Sequence, residues 1–202
     1  MSGIIAQNAA NATGLIKAAA GGGAWTLLTT STASASADVS FTSKLDSTYP
    51  IYKFEFINIH PATDQVEFEF NASTDGGSSY DATKTTSLFR ALHKEDDSSA
   101  TLAYADGEDT AQGTGTQSLS GSIGNQNDEC SSGHLFLFSP SSTTFVKHFI
   151  SNTCDLNGAE LCRNNYVAGY LNTTSAIDAV QFSMSSGNID AGTIKLYGLG
   201  DS

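Results

Sequence analysis

The side chains able to do acid–base or metal chemistry are few and scattered along this chain. Its four histidines, His60, His93, His134 and His148, sit far apart, and no two have metal-ligand spacing. Serine is abundant, yet none lies in Gly-x-Ser-x-Gly, and no cysteine is placed to partner a histidine as a nucleophile. Glycoside hydrolysis needs two carboxyl groups facing each other across roughly 5–10 Å. Glu55, Glu67 and Glu69 offer such groups on two neighbouring strand-like runs, but they alternate with aromatics and are expected to face solvent. The acidic clusters Glu95-Asp96-Asp97, Asp106-Gly107-Glu108-Asp109 and Asp128-Glu129 supply oxygen ligands. The middle one suits calcium best, though it lacks the Asp-x-Asp-x-Asp-Gly run and distal glutamate of an EF-hand loop. Solvated loops are the expected role for all of them. There is no P-loop and no Gly-x-Gly-x-x-Gly after a strand. The reading is a binding or structural protein and not an enzyme, with no catalytic residue, cofactor or metal.

The cysteines are Cys130, Cys154 and Cys162, an odd number that argues against a full disulfide framework. Cys154 and Cys162 bracket a polar segment, Asp155 to Leu161, read here as a loop. They form a disulfide candidate if their Cα atoms come within roughly 7 Å. Reduced thiols are the expected state of all of them. Twenty-one acidic against nine basic residues give a net charge of −12, which repels polyanions, so nucleic acid and anionic membrane are excluded as expected partners. No apolar run reaches the roughly 18 residues that a membrane span needs, and the opening residues do not read as a secretory signal. The expectation is synthesis in a cytoplasm and use at full length.

These groups must be held by strands. At 202 residues, with 39% hydrophobic and only 15% charged residues, the composition suits one domain of many short strands joined by polar turns, with eleven Phe and seven Tyr supplying core bulk. Residues 1–23 differ: Ala-, Asn- and Gly-rich, they carry Ile4, Ile5, Leu15 and Ile16 as their large apolar groups. They read as an arm, extended or partly helical, that stays mobile or docks on a partner through those four residues. Residues 24–202 read as the folded domain.

Tyr52-Lys53-Phe54-Glu55-Phe56 alternates with its aromatics inward, and Val66-Glu67-Phe68-Glu69-Phe70 repeats the pattern after the turn Pro61 to Asp64, which predicts a hairpin. A second hairpin is predicted from Leu135–Phe138 and Thr144–Ile150 around Ser139-Pro140. A third, Ile177–Met184 with Thr193–Tyr197, closes the chain. Further strand patterns begin near Trp25, Val39, Leu88, Thr101, Ser118 and Tyr166. Regular turn signals and the lack of a helical pattern after the arm predict an all-β fold, a jelly-roll-like sandwich of about ten strands.

The opening Met1-Ser2-Gly3-Ile4-Ile5 with Gly14-Leu15-Ile16, the run Tyr52 to Asp64, the turn Ser73 to Tyr80 and the closing Gly187 to Gly198 together resemble small virion proteins of tailed bacteriophages, especially of marine and cyanobacterial hosts. In that family the last pattern closes a jelly roll of tail fibres, appendages and capsid-surface proteins. The resemblance implies a non-enzymatic tail-fibre, appendage or capsid-decoration protein. It would be made in the bacterial host and displayed on the virion, attached to other virion proteins by its N-terminal arm, as a homotrimer or other symmetric oligomer. The Cys154–Cys162 segment departs from the family pattern. Jelly rolls also bind glycans through exposed aromatics, so the alternative is a carbohydrate-binding module for host attachment, with Tyr80, Tyr104, Tyr166 and Tyr170 as stacking candidates on a host-surface glycan.

Overall fold

The computed structural model describes residues 23–200. The docking candidates Ile4, Ile5, Leu15 and Ile16 lie outside the described residues. Twelve strands follow: β1 (Trp25–Ser36), β2 (Asp38–Phe41), β3 (Ile51–Pro61), β4 (Val66–Ser73), β5 (Lys84–Lys94), β6 (Ala100–Tyr104), β7 (Gln117–Ile123), β8 (Ser131–Phe138), β9 (Lys147–Asn157), β10 (Leu161–Leu171), β11 (Ala179–Met184) and β12 (Ile189–Leu199). They pair antiparallel into an eight-stranded sheet, β1-β12-β3-β8-β9-β10-β5-β6, and a four-stranded sheet, β2-β11-β4-β7. The all-β sandwich expected from the alternation is what the chain forms. Among the described residues no helix is long and apolar enough to cross a membrane.

Period-two alternation sets the two faces of each sheet. Tyr52, Phe54 and Phe56 are fully buried while Lys53 and Glu55 point outward, and Phe68 and Phe70 are buried between Glu67 and Glu69. The inward rings meet in one cluster. Phe182 of β11 lies 5.1 Å from both Phe54 and Phe56, 5.7 Å from Phe68 and 6.1 Å from Phe41, mostly edge to face. Such pairs add to the burial energy of the rings themselves.

Two of the three expected hairpins are not hairpins. β3 pairs with β12 and β8, whereas β4 pairs with β11 and β7, so the run from Tyr52 to Phe70 crosses from one sheet to the other. The crossing bends through Asn58 and Gln65, both non-glycine residues with positive φ (51° and 54°). Both runs carry a full aromatic face, and each satisfies it from an opposite side of the same core. β11 and β12 are divided between the sheets in the same way. β12 passes the crossing closely: Gly192 (φ 134°) leaves a Cβ only 2.8 Å from Ile59 and 2.9 Å from the Asn58 carbonyl. The β8–β9 pair forms as expected, with Leu135 opposite Ser151 and Leu137 opposite Phe149, although β9 begins at Lys147 and Phe145 stays outside the sheet.

The other half of the interior is partly polar. Where β7 packs over β9 and β10, Leu119, Ile123, Phe149 and Val167 are joined by the buried polar groups Gln117, Ser120, Thr153, Asp155, Arg163 and Asn165. Asp155 Oδ2 accepts from Arg163 Nε at 2.8 Å and Nη2 at 2.5 Å, and its Oδ1 accepts from Ser120 at 2.8 Å and Asn165 at 2.7 Å. The segment between Cys154 and Cys162 is therefore not a long loop. Asp155–Asn157 and Leu161 belong to strands, with a turn of Gly158-Ala159-Glu160 between them.

Candidate functional site

The outward face of the eight-stranded sheet carries an unusual load of aromatic and aliphatic side chains. Register places them in rows across the strands. One row runs Leu27, Tyr197, Lys53, Phe136, Ile150, Ala168 and Ser87. The next runs Lys195, Glu55, His134, Asn152, Tyr166, Phe89 and Tyr104. On the other side of the first row lie Leu199, Ile51 and Phe138, then His148, Tyr170 and Thr85. Neighbours on one face of a sheet contact one another. Phe89 and Tyr166 stack at 4.9 Å with planes 8° apart, Trp25 and Phe136 meet at 5.8 Å, and Lys53 Nζ lies over the rings of Trp25 (5.3 Å) and Tyr197 (4.6 Å).

Three of the four tyrosines expected to stack on sugars share this face. Tyr104 is 55% and Tyr166 40% exposed. Tyr170 is half-buried beside a shallow depression lined by Thr85, Ser87, His148, Ile150 and Ala168. Their hydroxyls are engaged. Tyr104 donates to Asp109 at 2.5 Å, Tyr166 accepts from Asn164 at 3.1 Å, and Tyr170 accepts from Gln112 at 3.2 Å. Tyr80 does not join them. It is half-buried on the β4–β5 connection, where a Cβ on Gly77 would come within 2.7 Å of its hydroxyl.

Of the carboxylates weighed for glycoside hydrolysis, Glu55 is separated from Glu67 and Glu69 by the whole sandwich. Glu55 is on the outer face of the large sheet, and Glu67 and Glu69 are on the outer face of the small one, not on a neighbouring hydrogen-bonded strand. Glu55 therefore cannot flank one glycosidic bond with Glu67 or Glu69. Partial burial pushes Glu67 above the usual carboxylate range, aided by the nearby Glu108 charge, and burial does the same to Glu69. The acidic clusters are used locally. Asp96 accepts from the Ser98 amide at 2.9 Å, Glu108 pairs with Arg90, and Glu129 is buried and accepts from the Gln126 amide at 2.7 Å. Among the described residues no three metal-capable side chains converge.

The histidines are dispersed as well. His93 meets Asp97 at 3.0 Å in the β5–β6 turn, and His60 contacts the Gln126 carbonyl at 3.1 Å. His134 is held below its usual pKa by burial and by the Lys53 charge. Cys154 and Cys162 are free thiols, diagonal across β9 and β10, with sulfurs 3.9 Å apart. Burial, reinforced by the Cys162 thiol, pushes Cys154 up to about 11, so it is protonated and a weak nucleophile at neutral pH.

Sequence reasoning did not single out Phe89, Leu102, Phe136, Phe138 or Ile150 as members of this face. One signal for part of it was present. Leu135-Phe136-Leu137-Phe138 is apolar at both parities, so one pair of those residues had to face away from the core. No protein-family model matches the chain, and neither curated proteins nor solved structures offer a match.

Proposed function

We propose that this chain is a non-enzymatic structural component of a tailed-phage virion, a tail-fibre, appendage or capsid-decoration protein held to the particle by residues 1–23. The observation that carries the reading is the aromatic, carboxylate-poor outer face of the large sheet on a chain whose net charge is −12. Apolar surface of that extent on a soluble domain is a surface made to be covered by another molecule. The strand-and-turn resemblance to virion proteins supplies the address, and the dispersed acids and histidines suit a role without chemistry. Deleting residues 1–23 is expected to abolish incorporation into particles while the sandwich keeps its circular dichroism spectrum. Normal incorporation of the truncated chain, measured by quantitative blotting of purified particles, would defeat the arm's role. Imaging particles with this protein labelled tests the address itself.

A second reading, a module for host-surface glycans, is favoured by one observation: Tyr104, Tyr166 and Tyr170 share the exposed face around the depression at Ala168. Stacking of a sugar on an aromatic ring is recognised by its loss on ring removal. That reading expects hits on a glycan array that disappear in Tyr166→Ala, and an empty array removes it.

A further inference from the structure

We propose that the outer face of the eight-stranded sheet is the surface through which copies of this chain associate, an inference that rests on reading the chain as an assembly component. Charge is the first argument. The chain carries 21 acidic residues, yet the three central rows of this face contain one carboxylate, Glu55, lying between Lys53 and Lys195. Two copies of a strongly anionic protein repel each other over most of their surface, and here they do not. The next carboxylate, Asp109, sits at the rim and is held by the Tyr104 hydroxyl.

Area is the second argument. Three same-face rows of seven, seven and six residues, with strands about 4.8 Å apart and rows about 6.8 Å apart, cover roughly 650 Å², polar side chains included. That approaches the roughly 800 Å² per partner of a stable interface.

The third argument is the kind of apolar group exposed. Leu102 is 73%, Leu27 53% and Ile150 49% exposed, and aliphatic groups give no planar platform for a sugar. Phe89 and Tyr166 each cover one face of the other. Continuity is the fourth. β6, at the sheet edge, is exposed along its whole length and carries Leu102 and Tyr104 out to an edge that no other strand covers among the described residues. A sheet edge of this kind is a template for pairing with another chain.

The test is sedimentation of the purified full-length chain across a micromolar concentration series at low and high salt. The wild type is expected to associate, more strongly at high salt as repulsion between the anionic surfaces is screened. Ile150→Glu, which places a charge at the centre of the face, is expected to raise the dissociation constant by about thirtyfold or more. Gln181→Glu, on the outer face of the small sheet, is expected to leave it unchanged. Ala168→Glu serves as the second central variant should Ile150→Glu lose its folded spectrum. A wild type that stays monomeric throughout overturns the proposal, as does assembly that both central variants retain. A monomer with glycan-array hits lost in Tyr166→Ala gives the face to sugar instead. A monomer whose residues 1–22 become protease-sensitive only in the central variants gives it to the arm. Particle incorporation is read separately, so self-association can fail while the virion reading stands, and the reverse.

Discussion

Replacing Asp155 by alanine is expected to lower the stability of the sandwich by about 3–5 kcal/mol, the usual cost of stripping one partner from a buried ion pair. Asp155 has no exposed side-chain surface, and Arg163 is 5% exposed. The carboxylate receives four hydrogen bonds, and its loss leaves the Arg163 charge without its counter-ion, while Ser120 falls back on Ser131 and Asn165 on Thr153. Arg163 would keep only its bond to the Gly121 carbonyl at 2.6 Å, which does not balance a full charge removed from water. The double variant Asp155→Ala/Arg163→Met removes the stranded charge and should recover part of the loss. Equilibrium urea unfolding followed by circular dichroism measures both. A single variant within about 1 kcal/mol of wild type would mean that water or a relaxed side chain replaces the carboxylate.

That ion pair also shows what the sequence left hidden. Asp155 sits in a stretch of polar residues that reads as a loop. Its neighbours face the polar part of the interior, and there inward and outward positions do not differ in polarity. Where the interior is aromatic, alternation was legible: every inward ring from Tyr52 to Phe70 was identified, and each expected strand pattern overlaps an observed strand. Pairing was not legible. Pro61 to Asp64 and Ser185 to Asp190 signal a reversal of direction, and a reversal serves a hairpin within one sheet and a crossing between two sheets equally well. The difference lies in long-range contacts, such as Phe182 meeting Phe54, Phe56 and Phe68. The candidate site was half legible for the same reason. Tyr104, Tyr166 and Tyr170 were among the stacking candidates, with Tyr80, but their union with Phe89 and Phe136 needs β8 placed beside β9, β9 beside β10, and β10 beside β5.

Lys84 is expected to contribute a gain of about 3 kcal/mol to the stability of this protein between pH 8 and pH 10.5. Its side chain points inward from the start of β5, is fully buried, and donates to the Gly115 carbonyl at 2.5 Å. Burial lowers its pKa from 10.5 to about 8, and the Asp81 charge only partly opposes this. Between those values the unfolded chain keeps the proton that the folded chain has released. The unfolded state then binds more protons, and stability rises with pH. Below pH 8 both states hold the proton and the folded state bears the whole penalty. Above 10.5 neither does. At about 1.36 kcal/mol per pH unit the window yields the stated gain. Lys147 is also buried, donates to the Thr173 and Ser175 carbonyls, and is lowered in the same direction, while Cys154, raised to about 11, acts with the opposite sign above pH 9, so the wild-type curve contains all three. The variant Lys84→Met isolates one of them. It should be more stable than wild type at pH 7, by up to about 3 kcal/mol less the roughly 1 kcal/mol of the lost hydrogen bond. The advantage should shrink as pH climbs through the window and reverse above it, where the neutral amine keeps its bond to Gly115 at no charge penalty. Denaturation midpoints of the two proteins at matched pH give the difference directly, and a difference independent of pH would show that Lys84 stays charged by drawing water into its site.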